Sequence, residues 1–71
     1  MAISYKKLWK LLIDRDMTAV ELRLATGIAP NTMTKLRRDE EVSMTVLAKI
    51  CKVLDANIGY IMDLVPEEES K

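Results

Sequence analysis

Apolar residues recur along most of the chain at three- and four-residue spacing, the period of helices with one buried face. Tyr5, Leu8, Leu11 and Leu12 form the first stripe, with Lys6, Lys7, Lys10 and Asp14 on the opposite side. This pattern predicts a helix over about 5–15, with Ser4 as its N-cap. Trp9 and Ile13, four apart, add a second stripe, which makes the apolar face wider than one small core requires. Thr18 and Glu21 have the spacing of a capping box, in which the hydroxyl and the carboxylate each accept from the other's backbone amide. They open a second helix with Val20, Leu22 and Ala25 as its apolar contacts. Gly27 stops it, because glycine enters the left-handed conformation without a Cβ clash.

Pro30 suits the first position of a third helix, where its missing amide costs nothing. Met33 and Leu36 face one way on that helix, and Asn31, Thr34, Lys35 and Arg38 face another. The acidic run Asp39, Glu40 and Glu41 reads as a loop. Ser43 then caps a fourth helix over about 44–54, striped by Leu47, Ile50, Cys51 and Leu54. A turn at Asp55, Ala56 and Asn57 leads to an expected fifth helix over about 58–65. Asn57 is its N-cap, Ile58, Ile61, Met62 and Leu64 are its apolar positions, and Pro66 ends it. The reading is a single domain over 1–71, with a core of about 4–65 and a short acidic tail, 66–71, expected to fray.

Composition sharpens this picture. In 71 residues, 49% of them hydrophobic, there is no Phe, one Trp and two Tyr, so the core must be aliphatic. Two Gly and two Pro leave little material for hairpins and favour an all-α, five-helix fold. One cysteine and no histidine exclude an internal disulfide, a Cys/His zinc site, a Cys–His dyad and a Ser–His–Asp triad. No cofactor, metal or small-molecule ligand is implied, and no convergent set of acids and bases suggests an enzyme. Cys51 reads as a small hydrophobe of the fourth helix. A reducing, cytoplasmic setting is expected. No apolar run approaches the ~20 residues of a membrane span, and Lys10 interrupts what would be the apolar core of a signal peptide.

Charge adds one feature. The formal net charge is zero, yet residues 1–38 carry eight basic and three acidic groups, whereas residues 39–71 carry three basic and eight acidic ones. The halves are thus +5 and −5, and a local field rather than the total is what meets phosphate.

Residues 18–38 are the informative segment: a capped short helix, a tight turn at Gly27 and a second short helix rich in polar and basic side chains. Two helices joined by so few residues must cross steeply. Leu22, Ile28, Met33 and Leu36 would lock the angle and leave the outer face of the second helix free to enter a major groove. The string ELRLATGIAPNTMTKLRR resembles the helix-turn-helix of Cro- and lambda-repressor-like (Xre family) regulators. The later string SMTVLAKICKVLDANIGYIMDLV is similar to the family's fourth and fifth helices. The resemblance covers about 8–65.

The resemblance implies a lambda-repressor-like domain that binds double-stranded DNA and regulates transcription by occupying an operator, as repressor or activator. It puts Gly27 at the turn and Ala29, Pro30, Asn31, Thr34, Lys35 and Arg38 where the family reads bases and grips phosphates. Asn31 is the first choice for base readout, since an amide pairs bidentately with adenine. Lys35 would reach guanine or phosphate. Arg37 and Arg38, at the helix end, would grip backbone phosphates, and Thr18 with the amides opening the second helix would meet another. The alternative for Arg37 is a weak surface pair with Asp39, Glu40 or Glu41. The chain departs from the family at Leu12, Ala19 and Arg23, where Arg, Gln and Ala are usual. A homodimer on a pseudo-palindromic operator is implied, its surface expected on the fifth helix at Tyr60, Met62 and Val65 rather than at Trp9 and Ile13. The rival reading is a protein-interaction module of the same fold, an antitoxin or adaptor.

Overall fold

The computed structural model describes residues 2–66. A short strand β1 (Ala2–Ser4) is followed by helices α1 (Lys6–Asp14), α2 (Ala19–Thr26), α3 (Pro30–Arg37) and α4 (Met44–Leu54). A 3-10 turn (Ile58–Tyr60) and a strand β2 (Asp63–Val65) follow. The strands pair antiparallel, with Ala2 opposite Val65, Ile3 opposite Leu64 and Ser4 opposite Asp63.

One aliphatic core holds these elements together. Leu8 and Leu12 of α1, Leu22 of α2, Met33 and Leu36 of α3, and Leu47, Ile50 and Leu54 of α4 are buried, joined by Tyr5, Ile28 and Ile61 from between elements. Each fully buried Leu or Ile contributes about 1.5–3 kcal/mol relative to exposure, so a chain this short depends on nearly all of them. Trp9, Leu11 and Cys51 pack half-buried at its border. Val20, expected among the contacts of α2, is 58% exposed, and Ala25 is exposed as well. The reason is geometric: α2 meets its neighbours through the single line that carries Leu22, and an eight-residue helix has room for little more.

The expected fifth helix is replaced by the 3-10 turn and β2, so the described residues form four helices plus a two-stranded sheet rather than five helices. Gly59 weakens a helix there, and Pro66 pushes Val65 toward extended backbone. Of the four apolar positions that suggested a helix, Ile61 alone is buried; Ile58 and Leu64 are exposed. The backbone groups of 63–65 find partners on β1 instead. Asn57 precedes the 3-10 turn without a side-chain cap. The tail at 67–71 lies outside the described residues.

The caps of α2 and α4 are as expected. Thr18 and Glu21 form both bonds of the capping box, at 3.1 and 2.9 Å, and Ser43 accepts from the Val46 amide at 3.2 Å. The start of α1 differs. Ser4 lies in β1, Tyr5 occupies the cap position without a side-chain cap, and the Ser4 hydroxyl reaches only the Lys6 amide, at 3.4 Å. The Tyr5 amide donates instead to Asp39 Oδ1, 34 residues away, at 2.9 Å.

Helix ends follow one rule. Asp16, Asp39 and Asp55 have φ of +54°, +57° and +51°. After each, an amide bonds back over five residues: Met17 to Leu12, Glu40 to Lys35 and Ala56 to Cys51. These are Schellman endings, in which glycine is the usual left-handed residue. The Arg15 guanidinium also donates to the Leu54 carbonyl at the end of α4, a cation at the negative end of a helix. Lys7 joins α1 to the closing segment through Asp63, at 3.2 Å, and the Gly59 carbonyl, at 3.3 Å.

Two outcomes follow. Asp16→Gly relieves left-handed strain at an exposed helix end and is expected to stabilise the domain by about 0.5 kcal/mol, net of glycine's larger unfolded-state entropy; denaturant unfolding measures it. Burial first, then the carboxylates of Asp39 and Glu41, raise the Tyr5 phenol above its ordinary value near 10, against a smaller opposing effect of the Val42 backbone. The stability this confers is therefore present below about pH 10 and lost as pH rises through the folded-state value. The difference in melting temperature between the parent and Tyr5→Phe is expected to narrow as pH is raised past about 10.

Candidate nucleic-acid interface

Two short helices and the turn between them form the site. The capping box fixes the start of α2, and the Thr18 hydroxyl, which accepts from the Glu21 amide, keeps its proton to donate outward. The amides of Ala19 and Val20 at the first turn of α2 have no partner within the helix. At the other end, Gly27 adopts φ +73° and its amide bonds the Arg23 carbonyl at 2.8 Å. Nothing lies within 4 Å of where a Cβ would stand, so the turn needs glycine for its backbone angle and not for space. Thr26 turns its hydroxyl back onto the Leu22 carbonyl at 2.8 Å.

Ile28 then drops into the core and Ala29 leads α3 out in extended conformation, with Pro30 in the first turn. Met33 and Leu36 are buried at 5% and 0% exposure. The remaining predicted contact residues, Ala29, Pro30, Asn31, Thr34, Lys35, Arg37 and Arg38, are all exposed, as is Thr18.

Helical spacing sorts these residues into two rows. Pro30, Thr34 and Arg37 lie beside the first turn of α2 and share a shallow cleft of about 220 Å³ with Ala19, Val20, Arg23 and Met33. Asn31, Lys35 and Arg38, at i, i+4 and i+7, form the other row. Lys35 and Arg38 border a second, wide cleft with Asp39, Glu40 and Glu41 and with Ala2, Ile3 and Leu64 of the sheet. The rows therefore differ in surroundings: the first faces basic and apolar groups, the second meets an acidic loop.

Arg38, not Arg37, meets that loop. Its Nη1 stands 4.0 Å from Glu40 Oε2, with both side chains largely exposed, a pair of little energetic weight. The surface pair considered for Arg37 does not occur among the described residues. Arg23 is the residue that sequence reasoning missed. It is half-buried in the cleft with Thr34 and Arg37, and the departure from the family pattern at that position was the available signal.

Among the described residues no group of His, Cys, Asp and Glu is arranged to hold a metal ion. Nor, among them, is any helix long and apolar enough to cross a membrane.

Comparison with known proteins agrees with this geometry. The crystal structure of the transcriptional regulator VanUg (Form II) matches with a TM-score of 0.90 at 52% sequence identity, over 93% of this chain and 88% of that one. No curated protein matches the chain. The family model of the Cro/C1-type HTH DNA-binding domain matches residues 7–67. With its capped α2, left-handed Gly27 and exposed polar α3 inside that span, the chain belongs to the family of Cro/C1-type helix-turn-helix DNA-binding domains.

Proposed function

We propose that this chain is a sequence-specific, cytoplasmic DNA-binding transcriptional regulator that lays α3 in the major groove of double-stranded DNA. The observation that carries this reading is the division of α3. Met33 and Leu36 are buried, while a continuous outer face of Asn31, Thr34, Lys35, Arg37 and Arg38 is exposed. A major groove about 12 Å wide admits such a helix. In this reading Asn31 reads a base, Lys35 reaches guanine or phosphate, and Arg37 and Arg38 grip the backbone. Arg23 joins Arg37 beside Thr18 and the free amides of α2, a second locus for phosphate. Ala29 and Pro30 lend shape and apolar contact only.

One subunit presents few such groups, which favours a homodimer on a pseudo-palindromic operator with half-sites about one helical turn apart, ~34 Å. The face that supports dimerisation surrounds the 3-10 turn and β2. Met44 and Leu64, 68% and 59% exposed, line an apolar groove of about 630 Å³ reaching Ile3, Val42 and Met62, and Tyr60, 65% exposed, ends the 3-10 turn. Large exposed apolar groups of this kind favour interfaces. The same groove favours the second reading, a protein-interaction module with weak DNA binding. Salt separates the two: binding dominated by phosphate falls steeply as salt rises.

The test is to incubate the purified chain with random duplexes at moderate salt and sequence those retained. A pseudo-palindrome supports the dimeric regulator, and retention of nothing above background shifts the assignment to the interaction module. On the recovered site, Asn31→Ala is expected to cost about 1–3 kcal/mol at one base position and to relax specificity there. Arg38→Ala is expected to weaken cognate and random DNA alike and to lower the salt slope by about one. Equal losses on both DNAs from both variants would refute this division of roles.

A further inference from the structure

The exit of α3 is pinned to the start of α1 by two adjacent loop residues. Tyr5, only 1% exposed, donates its amide to Asp39 Oδ1 at 2.9 Å and its phenol to the Glu40 carbonyl at 2.8 Å. Asp39 and Glu40 in turn donate their amides to the Leu36 and Lys35 carbonyls, at 3.3 and 2.9 Å. Those carbonyls belong to the last turn of α3, the turn that carries Lys35 and Arg37. The chain of bonds thus runs from a buried side chain of the core to the backbone beneath the basic groups.

Asp39 differs from the other left-handed aspartates. Asp16 and Asp55 end their helices in the same conformation, yet among the described residues neither side chain makes a hydrogen bond. The Asp39 carboxylate is therefore not required to end α3. It also sets a negative charge near Lys35 and Arg38, which opposes attraction to phosphate. A side chain that is dispensable for the turn and unfavourable for phosphate needs another use, and its bond to Tyr5 supplies one.

We propose that Asp39, held by Tyr5, is a positioning residue for sequence discrimination, a role that rests on the reading of α3 as the DNA-contacting helix. The bond sets the lateral position of the last turn of α3, so that Lys35 and Arg38 meet DNA in register with Asn31. Cognate binding requires that register, because base-edge groups must line up while phosphates are gripped. Random binding requires charge alone. Loosening the exit of α3 therefore costs discrimination rather than attraction.

The experiment compares Asp39→Ala with Asp39→Asn in the full chain. Both remove the charge, so any gain in attraction to phosphate is common to them. Asn keeps a carbonyl oxygen for the Tyr5 amide and tolerates left-handed backbone, while Ala keeps neither advantage. Thermal unfolding is measured separately, and binding is read at a temperature where every variant is folded. The probes are the duplex enriched from the random pool by the parent chain and a scrambled duplex of equal length. The cognate-over-scrambled affinity ratio is expected to fall about three- to tenfold in Asp39→Ala and to stay within about twofold of the parent in Asp39→Asn. Ratios equal to the parent in both variants, with only a lower melting temperature in Asp39→Ala, would reduce Asp39 to a structural loop residue. Equal losses in both would assign the effect to charge and overturn the positioning role. A parent chain that enriches no sequence fails one step earlier, and its failure removes the reading of α3 along with this role.

Discussion

The crossing of α2 and α3 is the constraint on which the molecule depends. Leu22, Ile28, Met33 and Leu36, all buried, set that crossing from inside, and Leu47, Ile50 and Leu54 of α4 complete the core they share. Leu8 and Leu12 of α1 pack into the same core, whereas the sheet, two strands of three residues, adds little. Truncating one such side chain to alanine costs about 2–5 kcal/mol, comparable with the whole stability that a core of this size supplies. The same side chains therefore fold the domain and aim its exposed helix. On the proposed reading of α3, a substitution that loosens them would disturb DNA recognition as well as stability.

Around that crossing the structure economises on glycine. Only the turn between α2 and α3 uses one in left-handed conformation; three other helix ends use aspartate at some cost in strain. Closure of the fold comes from long-range bonds to backbone instead. Tyr5 reaches the loop after α3, Arg15 the end of α4, and Lys7 the turn before β2. All three donors lie within or beside α1. That helix thus serves as a frame to which the ends of later elements are tied, which is a different task from contributing one face to a bundle. Its second stripe fits this account: Trp9 packs half-buried at the border of the core, and Ile13 is left 77% exposed.

Most of the fold was legible because its signals are local. The Thr18–Glu21 box, the glycine at 27, Pro30 at the start of α3 and Ser43 before α4 each act within one helical turn. Their spacing in the chain is their spacing in space. The closing segment was not legible for the opposite reason. Ile58, Ile61, Met62 and Leu64 fit a helical period, but the competing structure is a strand whose partner, β1, lies some sixty residues earlier and is too short to show a period of its own. The site divides along the same line. Exposure of the outer face of α3 follows from the burial of Met33 and Leu36, and that alternation is visible in the sequence. The proximity of Arg23 to Arg37, and of Asp39 to Tyr5, depends on how elements cross and has no local trace. A departure from the family pattern at Arg23 marked the right position without disclosing its use.

The central claim is that the outer face of α3, with the start of α2, is the DNA-contacting surface. Amide chemical shifts of the isotopically labelled chain, followed during titration with its selected duplex, test it most directly. The account predicts that the changes concentrate at Thr18 to Val20, Ala29 and Asn31 to Arg38, and that the same residues shift less, and less selectively, with a scrambled duplex. Changes confined to the groove around Met44, Ile58 and Leu64, or no changes at all, would contradict it.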